Sequence, residues 1–192
     1  MFEADGIAHV SGRPSEVKAG AGGGSSVEVV VGSEVVKGDL LLVATGRQPN
    51  LDLNLEAAGV EYTKSGITVD AKLRTNVPHI YAAGDVTGGP QFTHYAGWQA
   101  FNACRNALLP GSSPGHSDIV PWCTYTSPEV AHVGMTAEEA TRVHGDNVTI
   151  LSLANDRNDR SVCDSDMVGY SSAAVLKDGT IVTISFSAQN ED

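Results

Sequence analysis

Apolar positions along this chain fall into three kinds of spacing. The first is the short continuous run. Leu40-Leu41-Leu42-Val43-Ala44 and Ile80-Tyr81-Ala82-Ala83 each lead into a glycine-containing turn, which predicts parallel strands buried on both faces rather than helices. The second is the β-branched pair of runs at Val27 to Val31 and Glu34 to Val36, separated by Gly32-Ser33 and predicting a hairpin. The third is helical. From Ala96 to Leu109, Ala96, Ala100, Ala103 and Ala107 recur at helical spacing, with Trp98, Phe101, Leu108 and Leu109 elsewhere around the axis. That alanine stripe predicts a face open to a close backbone neighbour, and Cys104 within it reads as a small apolar residue.

Punctuation between the runs divides the chain. Pro110-Gly111-Ser112-Ser113-Pro114-Gly115 stops the helix and predicts the clearest linker. Beyond it, Val120 to Tyr125 and Val130 to Val133 read as short strands, and Thr136 followed by Glu139 is a capping-box helix start. Val148 to Leu153 reads as a strand, Asn155 to Asp166 as a charged loop, and Lys177-Asp178-Gly179-Thr180 as the turn of a last hairpin. This order suits an α+β module. The stretch from Lys18 to Ser26 is rich in glycine and poor in side chains to bury. It predicts an enlarged surface turn, and it lacks the Lys-Ser/Thr end of a phosphate loop.

Composition narrows the class. With 192 residues, 41% of them apolar, the chain can hold one or two domains with a real core. A formal net charge of −11 argues against nucleic acid or an anionic membrane as the main partner. Cys104, Cys123 and Cys163 are odd in number and widely separated, so neither a disulfide scaffold nor a CxxC centre is implied and a reducing compartment fits. No apolar run approaches the ~20 residues that span a bilayer. Met1-Phe2-Glu3-Ala4-Asp5 has no signal-peptide character. The expected location is cytoplasmic, or organellar if a targeting segment lies upstream.

The candidate chemistry gathers at Gly84-Asp85, just past the second apolar run. Ligands of open α/β sheets bind beyond the carboxyl ends of strands. A glycine there lets a ligand approach the backbone, and a carboxylate accepts from a sugar or ribityl hydroxyl. A plain turn is the alternative reading of the same two residues. Phe92-Thr93-His94 opens the alanine-rich helix, and a helix start exposes N–H donors and partial positive charge. Thr93 at this start reads either as an N-cap or as backbone free to meet a ligand carbonyl or anion. The remaining histidines have no ligand spacing, and no metal site is expected.

In order, Ala44-Thr45-Gly46-Arg47-Gln48-Pro49-Asn50, then Ile80-Tyr81-Ala82-Ala83-Gly84-Asp85, then Thr93-His94-Tyr95-Ala96 resemble the FAD-dependent pyridine nucleotide-disulfide oxidoreductases of the glutathione reductase and dihydrolipoamide dehydrogenase type. Pro121-Trp122-Cys123-Thr124-Tyr125-Thr126-Ser127-Pro128-Glu129-Val130-Ala131-His132-Val133-Gly134 looks like the start of that family's dimerisation domain. With Phe92-Thr93-His94, it leans toward the mercuric reductase-like branch. The resemblance implies an α/β chain in which 1–44 end an NAD(P)-binding domain, 45–110 return to a Rossmann-like FAD domain, 111–117 link, and 118–192 form a truncated α+β dimerisation domain. It implies FAD and NAD(P)H as cofactors, Gly84, Asp85 and Thr93 at the flavin, and Gly46 beside the nicotinamide nucleotide. Arg47 reads equally as an anchor for a surface carboxylate. It also implies a homodimer partner through the region after Asp118 and a small-molecule or disulfide substrate. His94 reads as a packing or loop-fixing residue rather than an acid/base.

No GxGxxG, no C-x4-C pair and no His-Glu acid/base segment occurs, so no catalytic residue is expected in this chain, and it reads as a fragment of a longer enzyme. Gly169-Tyr170 fits the resemblance, whereas Ser171-Ser172-Ala173-Ala174 departs from it and puts the last strands in doubt. The expected reaction passes electrons from NAD(P)H through flavin to a disulfide or Hg(II). The alternatives are a non-catalytic dimerisation or interaction module and a related NAD(P)H oxidase or peroxidase.

Overall fold

The computed structural model describes residues 6–20, 26–163, 165 and 167–188, the last through its backbone alone. It divides into two units, Met1–Arg47 and Gln48–Asp192. In the first, β1 (Pro14–Ala19), β2 (Val27–Val31) and β3 (Glu34–Gly38) form an antiparallel sheet in that order. The predicted hairpin is β2–β3, with Val31 opposite Glu34. Glu28 faces Lys37 across it, the two pairing at 2.8 Å. Hydrogen bonding and then charge from Lys37 hold the Glu28 carboxyl below the ordinary range. Strand β1 is polar and exposed, so it carries no apolar signature. It takes in Lys18 and Ala19 from the predicted surface turn. The Gly20 N–H donates to the Ser26 carbonyl at 2.8 Å, and the rest of that turn, 21–25, lies outside the described residues.

Leu40 to Ala44 is not a buried strand. Leu40 is 91% and Leu42 87% exposed, and among the described residues no strand pairs with the run. A parallel strand is stabilised only by neighbours on its edges, so apolar character alone does not bury it.

The second unit begins with a small core of Leu55, Val60, Ile67 and Ala82, with Leu51, Val69, Val77, Ile80 and Val86 packed against it. The two-residue strands β4 (Tyr62–Thr63) and β5 (Gly66–Ile67) pair beside it. Ile80 to Ala83 is extended as expected, but it is not a parallel strand. It forms one antiparallel bridge, Tyr81 to Arg74. The cause is local: the Asp70 carboxylate accepts the N–H groups of Lys72 and Arg74 at 2.8 and 3.0 Å. This Asx-type turn brings the preceding loop back alongside the run.

Helix α1 (Thr93–Leu108) follows. Its buried residues are Tyr95, Gln99, Asn102 and Ala103, whereas Ala100 and Ala107 are exposed. Only part of the alanine stripe lies on the packing face: Ala103 is buried and Ala96 meets the Gly84 backbone, as a close neighbour was expected to. The helix packs on loops, whose backbone groups need partners, and Gln99 and Asn106 supply them. Cys104 is exposed rather than packed. The helix stops at Leu109 as expected, and the following segment is then tied back. Asn106 exchanges two hydrogen bonds with Ser113, at 2.7 and 2.9 Å, and the Gly115 N–H donates to Ala71 at 2.8 Å.

The remainder is an antiparallel sheet of β6 (Trp122–Thr124), β7 (Glu129–Gly134), β8 (Val148–Ala154), β9 (Tyr170–Leu176) and β10 (Ile181–Ala188), ordered β6-β7-β10-β9-β8. Helix α2 (Ala137–His144) lies against β8, β9 and β10. It starts with the predicted capping box between Thr136 and Glu139. Ser171 to Ala174, the residues that departed from the family pattern, form β9 in regular register with β8 and β10. Small side chains are tolerated there because Ala174 is fully buried, on the sheet that α2 covers. The predicted charged loop contains a 3-10 turn and a short helix, α3 (Asp159–Cys163). No helix among the described residues is long and apolar enough to cross a membrane.

Candidate functional site

The extended segment before Gly84 is fixed through alternate N–H groups. Ile80 donates to Val77 at 2.9 Å, Ala82 to Leu73 at 3.1 Å, and Gly84 to the Gln99 side-chain Oε1 at 2.8 Å. A 3-10 turn, Gly84–Thr87, begins there. It is closed by Gly88 N–H donating to Asp85 O at 3.0 Å and by Thr87 Oγ1 donating to Gly84 O at 2.8 Å. Gly84 has φ of 79°, and a Cβ on it would lie 3.0 Å from the Ala96 methyl. Its glycine character thus serves the left-handed backbone and the close approach of α1. Asp85, in the first turn of the 3-10 segment, is partly exposed.

The same turn lies against α1, whose first residue is Thr93. The N-cap is Phe92, which has no side-chain cap bond, so Thr93 is not an N-cap. The helix start keeps its exposed, uncapped character. His94 is stacked on Phe92, ring centroids 5.5 Å apart at 18°, and its Nε2 lies 2.7 Å from the Pro121 carbonyl. A carbonyl only accepts, so Nε2 carries a hydrogen. The ring is committed to fixing the 121 segment to the helix start, the loop-fixing role expected of it. Tyr95 OH accepts from the Ser117 N–H at 3.2 Å and secures the next residues of the connection.

Gly84, Asp85 and Thr93 are therefore held together in the second unit. Gly46 belongs to the first unit. It has φ of 111° with open space where a Cβ would stand.

Other candidates are structural. His132 Nε2 donates to Gly134 O at 3.0 Å, its Nδ1 lies 2.7 Å from Ser185 Oγ, and its ring tilts on Trp122. Burial, with a smaller contribution from Glu129, pushes the Cys123 thiol up. Among the described residues no group of three potential ligands could hold a metal ion. A groove of ≈ 690 Å³ lies between α2, β7 and β10, lined by Val133, Met135, Arg142, Val143 and Ile181 among others. None of Gly84, Asp85 and Thr93 lines it. Sequence reasoning missed Gln99. Its signal was a polar residue at helical spacing from Tyr95 and Ala103, on the side of α1 that must be buried.

Residues 1–100 match the family described as pyridine nucleotide-disulphide oxidoreductase, and residues 120–191 match that family's dimerisation domain. The chain is 46% identical over 117 residues to dihydrolipoyl dehydrogenase of Bacillus subtilis (strain 168), covering 57% of this chain and 24% of the relative. It is 41% identical over 138 residues to mercuric reductase of Lysinibacillus sphaericus, covering 71% and 25%. Among solved structures, the HOCl-induced flavoprotein disulfide reductase RclA from Escherichia coli superimposes with a TM-score of 0.82 at 28% identity, over 93% of this chain and 41% of that one. LpdA from Mycobacterium tuberculosis gives a TM-score of 0.84 at 26% identity, over 97% and 41%. The chain spans about a quarter of the length of these two curated relatives. Together these matches show that the chain belongs to the pyridine nucleotide-disulphide oxidoreductases, a family of FAD-dependent enzymes that take electrons from NAD(P)H.

Proposed function

We propose that this chain supplies flavin contacts and a subunit-contact surface to an NAD(P)H-dependent flavin oxidoreductase acting on a disulfide or on Hg(II). The observation that carries the reading is the seating of the Gly84-Asp85 turn against the start of α1. A partly exposed carboxylate and an uncapped helix start form a complementary pair, an acceptor for ribityl hydroxyls and a donor set for a flavin carbonyl. FAD supplies the acceptance of hydride from NAD(P)H and its passage onward. In this chain Asp85 orients the cofactor, and the first-turn N–H groups at Thr93, with the helix dipole, favour negative charge on the ring. Gly46, left-handed and unobstructed, fits the close approach of a nicotinamide nucleotide to its backbone. The mercuric reductases and RclA among the relatives favour a soft metal or disulfide acceptor over oxygen. Three free cysteines fit a cytoplasmic setting.

The subunit surface is read from register. Leu151, Ala173 and Ile184 lie side by side on one face of the sheet, as do Leu153, Ser171 and Phe186. Leu151, Leu153, Ile184 and Phe186 are all exposed. A contiguous apolar face of this kind suits a second copy of the chain. The flavin reading is tested by titrating the purified chain into FAD and following the flavin fluorescence. Saturable quenching is expected, weakened about tenfold by Asp85→Ala, the loss of one charge-assisted hydrogen bond. Equal affinity of the two proteins would remove Asp85 from the site.

A further inference from the structure

We propose that Gln99 is the positioning residue for the flavin contact at Asp85, an inference that rests on the reading above. Along the extended run toward Gly84, the Ile80 carbonyl accepts the Thr75 N–H at 3.0 Å and, two residues on, the Ala82 N–H donates to Leu73 O at 3.1 Å. At the next residue in that alternation, Gly84, no backbone carbonyl takes the N–H; the Gln99 side chain does, at 2.8 Å. The side-chain amide thus stands in for the next rung of a ladder at the point where the chain turns into the Asp85 segment. Gln99 is only 1% exposed, and both ends of its amide are used. Its Nε2 donates to Gly115 O at 3.0 Å, which fixes the amide orientation and leaves Oε1 as the group facing Gly84. Gly115 is itself immobilised. Its N–H is held by Ala71, and a Cβ there would collide with the fully buried Leu73, whose carbonyl accepts the Ala82 N–H. The circuit runs from Ala82 through Leu73, Gly115 and Gln99 to Gly84, next to Asp85. Gln99 lies six residues along α1 from Thr93, so it ties both proposed flavin contacts to one rigid helix.

The two ends of the amide separate positioning from simple stapling. Gln99→Glu keeps an acceptor for the Gly84 N–H and loses the donor to Gly115; Gln99→Leu loses both. Flavin affinity by fluorescence titration and thermal midpoint are measured for the unsubstituted chain, both variants and Asp85→Ala. We expect Gln99→Leu to weaken FAD about tenfold, as the loss of a buried hydrogen bond, and Gln99→Glu to stay within about twofold of the unsubstituted chain even where both lower the melting temperature. If Asp85→Ala weakens FAD but the folded Gln99→Leu does not, the flavin reading stands and this inference is overturned. Should Gln99→Glu bind as poorly as Gln99→Leu, the residue merely staples the segment before the sheet, and the inference again fails. Unaltered affinity in Asp85→Ala, or no saturable uptake by the unsubstituted chain, overturns the flavin reading itself. If Gln99→Leu does not fold, Gln99→Glu decides alone: tight flavin binding supports positioning through Gly84, and weak binding refutes it.

Discussion

Gly84 meets two constraints at once, a φ of 79° and an Ala96 methyl 3.0 Å from where its own Cβ would stand. Gly84→Ala is expected to cost about 1–3 kcal/mol, seen as a lower midpoint in thermal or urea unfolding; an unchanged midpoint would contradict the packing described. The Thr136 cap was legible because its partner is three residues away. Its hydroxyl accepts the Glu139 N–H at 3.1 Å, and the Glu139 carboxylate accepts the Thr136 N–H at 2.9 Å. Thr136→Ala is expected to cost about 1 kcal/mol. Hydrogen bonding from Thr136, first from its backbone, holds the Glu139 carboxyl below its ordinary value of 4.5. A depressed folded-state pKa adds stability above the unfolded value and loses it as pH falls through the folded one. That contribution therefore fades below 4.5, and Glu139→Gln removes this part of the acid dependence, a difference readable in melting curves taken across the carboxylate range. The reason for Gly84 was not legible, because Ala96 is twelve residues away and only the packing of α1 brings it close. Gln99 was hidden for a related cause: its partners, Gly84 and Gly115, come from segments on either side of α1.

Elements whose pattern is local were read well: the β2–β3 hairpin, α1, α2 and the β9–β10 hairpin all formed where apolar spacing and turn residues placed them. Two apolar runs did not become parallel strands. Leu40 to Ala44 has no strand partner among the described residues, and Ile80 to Ala83 finds an antiparallel one, because strand type is decided by the partner rather than by the run. The last sheet shows the converse. Ser171 to Ala174 lacks strong strand formers, yet it is held between β8 and β10 by pairing on both edges. The exposed face of that sheet yields a prediction at this scale. If Leu153 and Phe186 contact a second copy, Phe186→Asp shifts the chain toward monomer in sedimentation velocity with the secondary structure retained. A chain that is monomeric before substitution would rule out this face as the subunit contact.

At the scale of the molecule, the turn proposed to contact flavin, the helix proposed to position it and the sheet proposed as the subunit contact all lie in the second unit. The family relationship was legible from three motifs whose order and spacing matter more than any one of them, and the matches over 1–100 and 120–191 bear it out. The acceptor was not legible, since the sequence contains neither a C-x4-C pair nor a glycine-rich dinucleotide fingerprint. Hydride transfer requires nicotinamide and flavin stacked in register, and such orientation supplies about 7–11 kcal/mol of the barrier in favourable cases. On the proposed reading, Asp85, the Thr93 helix start and Gly46 would hold too little of either dinucleotide to provide it. The most direct test follows the nicotinamide absorbance of NADPH with the purified chain, FAD and either a disulfide or Hg(II). The account predicts consumption no faster than with free FAD, and steady turnover dependent on the chain would contradict it.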